Sequence, residues 1–181
     1  MIKSDDRLKE NLNHLQVMLM KTFILRMTTF IYAKTILVVV DMALGEKLFE
    51  DIGNLTKLDV KSVHPVEGVK MEVSFTSEIK GLSKFPSGKN IGSGTMTQYP
   101  HGVIDANYQG IETTTEGDQY IWWAHEKSKV VQGTMTTKGI IIFTGYTNSQ
   151  KLSWMNNLIA VIDMKTDLTN QQFEGTGYEW Q

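Results

Sequence analysis

The side chains with the widest chemical reach gather between Tyr99 and Glu126. Two of them, Glu112 and His125, could move a proton as an isomerase or cyclase requires, provided their surroundings bring the pKa near the working pH. Large rings stand close by in the chain: Tyr99, Tyr108, Trp122 and Trp123, with Trp154 further on. Those five could wall a cavity for a small apolar or amphipathic ligand, with Glu112 and His125 as its polar contacts. Taken singly, each ring has a plainer use as core packing or as part of a subunit interface. No residue is assigned a catalytic role on this pattern alone.

Other chemistries find less support. His64, His101 and His125 form no short His-x-His or His-Glu-x-x-His pair of the kind that brings ligands together on zinc, so no metal site is expected. There is no Gly-x-Ser-x-Gly elbow, and Gly92-Ser93-Gly94 falls in a predicted strand. No glycine-rich turn opens a helix, so neither a nucleotide nor any other cofactor is expected. The net charge is −2, and arginine, the preferred reader of phosphate and guanine, occurs only at Arg7 and Arg26. Nucleic acid is therefore not an expected partner. The absence of cysteine excludes disulfides and thiolate chemistry and agrees with a reducing, cytoplasmic setting.

The elements that must position these groups follow from hydrophobic period. Val69, Met71, Val73, Phe75 and Ile79 alternate with polar residues, the signature of a half-buried strand. Further strands are expected near 91–98, 102–114, 119–127, 130–137, 140–147, 158–166 and 171–180. Short turn-rich links such as Pro100-His101-Gly102 and Glu116-Gly117-Asp118 leave no room for crossover helices, so neighbouring strands should pair antiparallel. Gly92, Gly94, Gly110, Gly133, Gly145, Gly175 and Gly177 fall inside these strands, where glycine marks the bends of a closing sheet. Closure removes sheet edges. Lys151–Asn157 breaks the strand pattern and suits a helical turn over one barrel mouth, with Trp154 and Met155 as its plug. Ile140-Ile141-Ile142-Phe143 is apolar on both faces, which calls for cover outside the barrel as well, by the N-terminal helix or a second subunit.

All 15 glycines and all 3 prolines lie at or beyond Gly45, so residues 1–41 read as an extension separate from a 42–181 domain. Leu8, Leu12, Leu15 and Leu19 recur at helical spacing. The apolar run 17–40 is interrupted by Lys21, Arg26 and Lys34, each costing about 2.5–3.5 kcal/mol at the centre of a membrane helix. The extension is open to three readings: an appended helix, a membrane-associated segment, or residues upstream of a natural start at Met42. From Met42 to Gly53, Leu44, Leu48 and Ile52 form one helical stripe, and Gly53 would end that short helix.

The pattern of Gly92-Ser93-Gly94, Tyr99-Pro100-His101-Gly102-Val103-Ile104, Gln109–Asp118, Lys151–Leu158 and the terminal Gly177-Tyr178-Glu179-Trp180 resembles a group of small, functionally uncharacterised archaeal and bacterial β-barrel proteins. The resemblance spans 42–181. Where that group carries Trp-x-Gly-x-Gly, this chain has Trp123-Ala124-His125-Glu126-Lys127. The architecture is more loosely similar to allene oxide cyclase and lipocalin barrels, a likeness that carries fold and not function.

The expected protein is a soluble all-β domain: a small antiparallel up-and-down barrel of about eight strands, with a short N-terminal helix and an appended helical extension. Its expected partner is a small hydrophobic molecule, with self-association into a homo-oligomer as a further expectation. A scaffold barrel with a filled core and an isomerase- or cyclase-type enzyme stand as alternatives. Interior volume separates them, because ligand cavities begin near roughly 300 Å3. One geometric question sits beneath all three: whether Ile104, Ala106, Tyr108 and Glu112 face the lumen, or Asp105, Asn107 and Gln109 do.

Overall fold

The computed structural model describes residues 44–181, which form one compact unit. The readings of 1–41 lie outside the described residues. Eight strands follow in order: β1 (Leu44–His64), β2 (Gly68–Gly81), β3 (Gly88–Gln98), β4 (Val103–Thr114), β5 (Gln119–Val130), β6 (Thr136–Tyr146), β7 (Ile159–Asp167) and β8 (Gln172–Trp180). Each pairs antiparallel with the next, and β1 pairs with β8 to close the barrel.

Two local expectations are corrected. The short helix expected over 42–53 is not formed by its described residues, which from Leu44 onward belong to β1, and among the described residues there is no α-helix. The leucine spacing marks no common buried face: the β1–β8 register shifts between Leu44 and Phe49 and is regular from there through Ile52. Around this irregularity both Leu48 and Phe49 are buried, while Ile52 faces out and is exposed. The expected strand at 130–137 is also absent. Val131–Met135 form the turn between β5 and β6, with Gly133 at φ 75°. The count of eight therefore held with one strand replaced by another.

The one helical piece is a 3-10 turn at Ser153–Asn157. It sits against one end of the barrel as expected, with Met155 fully buried between the buried Leu152 and Leu158. Asn156 anchors it: Oδ1 accepts from the Thr147 N–H at 2.7 Å, and Nδ2 donates to the Thr147 carbonyl at 3.1 Å. Trp154 is only partly buried and meets Phe85 edge-on at 6.3 Å, with Lys84 Nζ 4.8 Å from its ring centre.

The lumen is packed by large rings lying over glycines of adjacent strands. Phe49 faces Gly177 across the β1–β8 seam, Phe173 faces Gly53, and Trp122 faces Gly110. A Cβ on Gly177 would come within 2.4 Å of the Phe49 ring, and one on Gly92 within 2.4 Å of Phe75. Phe75, Trp122 and Phe143 continue this packing, with Phe75–Trp122 centroids 6.0 Å apart and Trp122–Phe143 centroids 5.9 Å apart. Ile141 and Phe143 point inward, while Ile140 and Ile142 stand exposed on the outer face.

A methyl group at position 177 overfills a site already occupied by Phe49. Gly177→Ala is expected to cost about 1–3 kcal/mol of unfolding free energy, read as a lower urea midpoint at unchanged m. Adding Phe49→Leu should recover part of that loss, whereas the two losses would simply add if the ring and the glycine were independent.

Candidate functional site

The period-two alternation of β4 and β5 decides which groups enter the barrel. Ile104, Ala106, Tyr108, Gly110 and Glu112 face the lumen, leaving Asp105, Asn107 and Gln109 outside. On β5 the inward set is Tyr120, Trp122, Ala124 and Glu126. Trp123 and His125 consequently point to the exterior, and Trp123 is 50% exposed. His125 Nδ1 lies 3.0 Å from Asn107 Oδ1, and its Nε2 is 3.7 Å from Asp105 Oδ1. Asp105 is also paired with Lys127, whose hydrogen bond holds its carboxyl below the usual range. Tyr99 lies at the β3–β4 turn, stacked on His101 at 5.7 Å.

Of the seven residues singled out from sequence, three line the interior cavity: Tyr108, Glu112 and Trp122. Tyr99, Trp123, His125 and Trp154 do not. The cavity has a volume of about 80 Å3. At about 30 Å3 per molecule in liquid water, that is the space of two or three waters. It falls well below the volume set above for a drug-sized ligand.

The lining is mostly apolar, with Phe75, Phe143, Ile162 and Phe173 among its walls, but it carries three carboxyls. Glu126 Oε2 accepts a 2.6 Å hydrogen bond from Tyr108 Oη. That hydroxyl is held well above its ordinary pKa, first by burial and then by the Glu126 charge. The Trp122 indole N–H donates to Asn90 Oδ1 at 2.9 Å. Asp51 and Glu112 are only 6% and 2% exposed, and Asp51 Oδ1 and Glu112 Oε1 have no hydrogen-bond partner among the described residues. Leaving a buried polar atom unpaired costs about 1–3 kcal/mol.

Burial dominates the titration of both acids. It pushes Glu112 from 4.5 to about 8, with the Asp51 charge adding to the effect. It lifts Asp51 from 3.8 to about 6, with the nearby Ser77 hydroxyl offsetting part of the shift. Near neutral pH the pair therefore consists of a largely protonated Glu112 beside a largely ionised Asp51. Among the described lining residues there is no lysine, arginine or histidine to compensate that charge. Nor, among the described residues, does any group of three or more His, Cys, Asp and Glu gather as a metal site.

Asp51, Asn90 and Glu126 were not picked out from sequence as site residues. Asp51 carried a signal: Phe49, Asp51, Gly53 and Leu55 alternate at period two, but the helical leucine spacing overrode it. Asn90 stands one position before the expected start of its strand. Glu126 shares the period-two face of Trp122, with nothing in the sequence to mark it as a site residue.

The barrel is similar to several solved structures. A protein of unknown function from Clostridium acetobutylicum matches with a TM-score of 0.66 and 16% identity, over 75% of this chain and 95% of that one. A β-barrel-like protein from Acinetobacter baumannii matches with a TM-score of 0.64 and 16% identity, over 75% and 94%. An enzyme from Penicillium herquei matches with a TM-score of 0.55 and 18% identity, over 75% and 95%. These likenesses establish the fold alone. The two bacterial structures agree with the resemblance to uncharacterised bacterial barrels. No family model and no curated protein matches the chain. Among the described residues, no helix is long and apolar enough to cross a membrane.

The raised acids make stability depend on pH with a defined sign. Between 4.5 and about 8 the folded state holds a proton on Glu112 that the unfolded chain has released. Stability therefore falls as pH rises through that window and levels off above it. Asp51 acts in the same direction between 3.8 and about 6. Urea unfolding followed from pH 4 to pH 9 should show this decline. Glu112→Gln should flatten its upper part and be more stable than the parent by a few kcal/mol at pH 9.

Proposed function

We propose that the barrel binds a small amphipathic molecule in its interior. The observation that carries this reading is the void itself: aromatic walls around two buried acid oxygens that no group among the described residues satisfies. A filled scaffold core would close over such atoms or pair them. The volume limits the occupant to a few non-hydrogen atoms, unless the rings move apart to admit more. The ligand's apolar part would lie against Trp122 and Phe75, and its polar part would meet Glu112 and Asp51. This is a lipocalin-like use of the barrel at a smaller scale.

Acid–base catalysis is a second reading, favoured by the raised pKa of Glu112. A carboxyl neutral near pH 7 inside a cavity can give a proton to a substrate and later recover it, as an isomerase or cyclase needs. His125 lies outside the barrel, so in this reading Glu112 acts with Asp51 rather than with histidine.

The outer face supports a separate expectation, self-association into a homo-oligomer. The register places Ile91, Ile111 and Ile121 in one row across β3, β4 and β5, continued by Tyr146 on β6. Trp123, Ile142 and Ile159 stand beside that row, all substantially exposed. An apolar face crossing several strands suits a second copy of the same face, arranged about a two-fold axis.

Native mass spectrometry of the full chain purified from cells tests the interior reading. A bound small molecule is expected with the parent and should be lost with Ala124→Leu, which fills the void from β5. Binding that survives this substitution would place the ligand elsewhere. Sedimentation of the parent against Trp123→Glu tests the outer face: a dimer that dissociates supports self-association, and a parent monomer at high concentration rules it out.

A further inference from the structure

We infer that the interior site selects a small organic cation, a primary or secondary amine whose ammonium is received by Glu112 and Asp51 while its short apolar part rests on Trp122. The inference rests on the interior-ligand reading above and names the class of ligand.

The case is one of unmatched charge. Asp51 and Glu112 come from β1 and β4, both are more than nine-tenths buried, and each presents an oxygen without a protein donor. The other titratable groups around the pair are Tyr108 on β4 and Tyr120 and Glu126 on β5. Tyr108 is committed to Glu126, and the Tyr120 hydroxyl donates to the Met155 carbonyl at 3.2 Å. The described lining residues from β2, β3, β6, β7 and β8 contribute no charged group. Every titratable side chain among the described lining residues is therefore acidic, and no cation among the described residues lines the cavity to answer it.

An anion has no place in such a site. A calcium or magnesium ion would need six or more oxygens at short range, a zinc ion three or four converging ligands that the described residues do not gather, and the surrounding walls are aromatic and aliphatic. An alkylammonium meets all three features of the site. It supplies N–H donors to both free oxygens, it brings the missing positive charge, and its carbon chain suits the apolar lining. The negative faces of the nearby rings also favour a cation. The volume of about 80 Å3 restricts that chain to a few carbons.

Protonation gives the site a characteristic pH response. The cation favours the ionised form of both acids, so binding near pH 7 displaces a proton from Glu112. Affinity should climb between about pH 6 and about pH 8, the range over which Asp51 and then Glu112 lose their protons. It should fall again above about pH 10, where an alkylamine, like a lysine side chain, gives up its own proton.

The test uses the full-length chain, with n-propylamine and 1-propanol as a charged and a neutral probe of nearly equal size. The Trp122 indole N–H signal in a proton–nitrogen NMR spectrum, assigned with Trp122→Phe, reports on the cavity. Propylamine should shift that signal saturably and bind about tenfold or more tighter than propanol, since charge-assisted hydrogen bonds are the stronger kind. Glu112→Gln and Asp51→Asn should each weaken propylamine binding more than propanol binding and so erase most of this preference. Neither substitution changes side-chain size appreciably, and a thermal melt confirms that each variant is folded. Equal affinity for the two probes, or an unchanged preference in both variants, would overturn the cation assignment and leave the interior site standing. If neither probe nor their longer butyl homologues moves the Trp122 signal, the interior reading falls, and the cation assignment with it.

Discussion

Trp122 and the glycines around it hold the centre of this barrel. Its ring fits over Gly110 on one side and reaches Gly92, where a Cβ would come within 3.0 Å of Cη2. The same economy recurs with Phe49 on Gly177 and Phe173 on Gly53. A narrow closed sheet cannot hold several large rings and also carry side chains on every inward position. Bare backbone opposite each ring solves that conflict. Burying an indole removes roughly 150–250 Å2 from water, on the order of 4–6 kcal/mol before entropic costs at about 25 cal/mol per Å2. The Asn90 side-chain oxygen Oδ1 accepts the one polar proton on the ring, so this burial leaves no donor stranded.

The acidic cavity exists inside that frame. Glu112 pairs in register with Asn90 on one side and Tyr120 on the other, and its Oε1 lies close to where a Gly88 side chain would begin. A carboxyl in that position has neither solvent nor a cation to stabilise its charge. The fold tolerates it largely as a neutral acid. Such placement weakens the protein as pH rises through the range in which that acid ionises.

Much of the architecture was readable in the sequence. The alternation in β2, the turns at Pro100 and Gly117, and the interior glycines at Gly92, Gly110, Gly145 and Gly177 are local signals, and local signals survive without tertiary context. Bulges and lone boundary residues do not. Leu44, Leu48 and Ile52 have the spacing of a helix in what is an irregular strand, and Val131–Met135 carried strand-like text in what became a turn. Inward direction could not be read at all from β4, because a shift of one residue exchanges Glu112 for Ile111 and Tyr108 for Asn107. Asp51 escaped notice for the same reason as β1 itself. The acid pair joins the first and fourth strands, and only the closed sheet brings them together.

The seam between β1 and β8 carries a kinetic consequence. The other seven pairings join neighbours in the chain and can grow as successive hairpins, each requiring a short loop to close. The seam alone joins segments from opposite ends of the barrel sequence, setting Asp51 against Gly175 and Gly53 against Phe173. Until it forms, the chain is an open sheet with two unpaired edges, the arrangement most prone to join another molecule's edge. Phe49 on Gly177 and Phe173 on Gly53 lie on that seam and reward its closure with buried ring area. Those pairs therefore favour the closed barrel over the open sheet as well as filling the lumen.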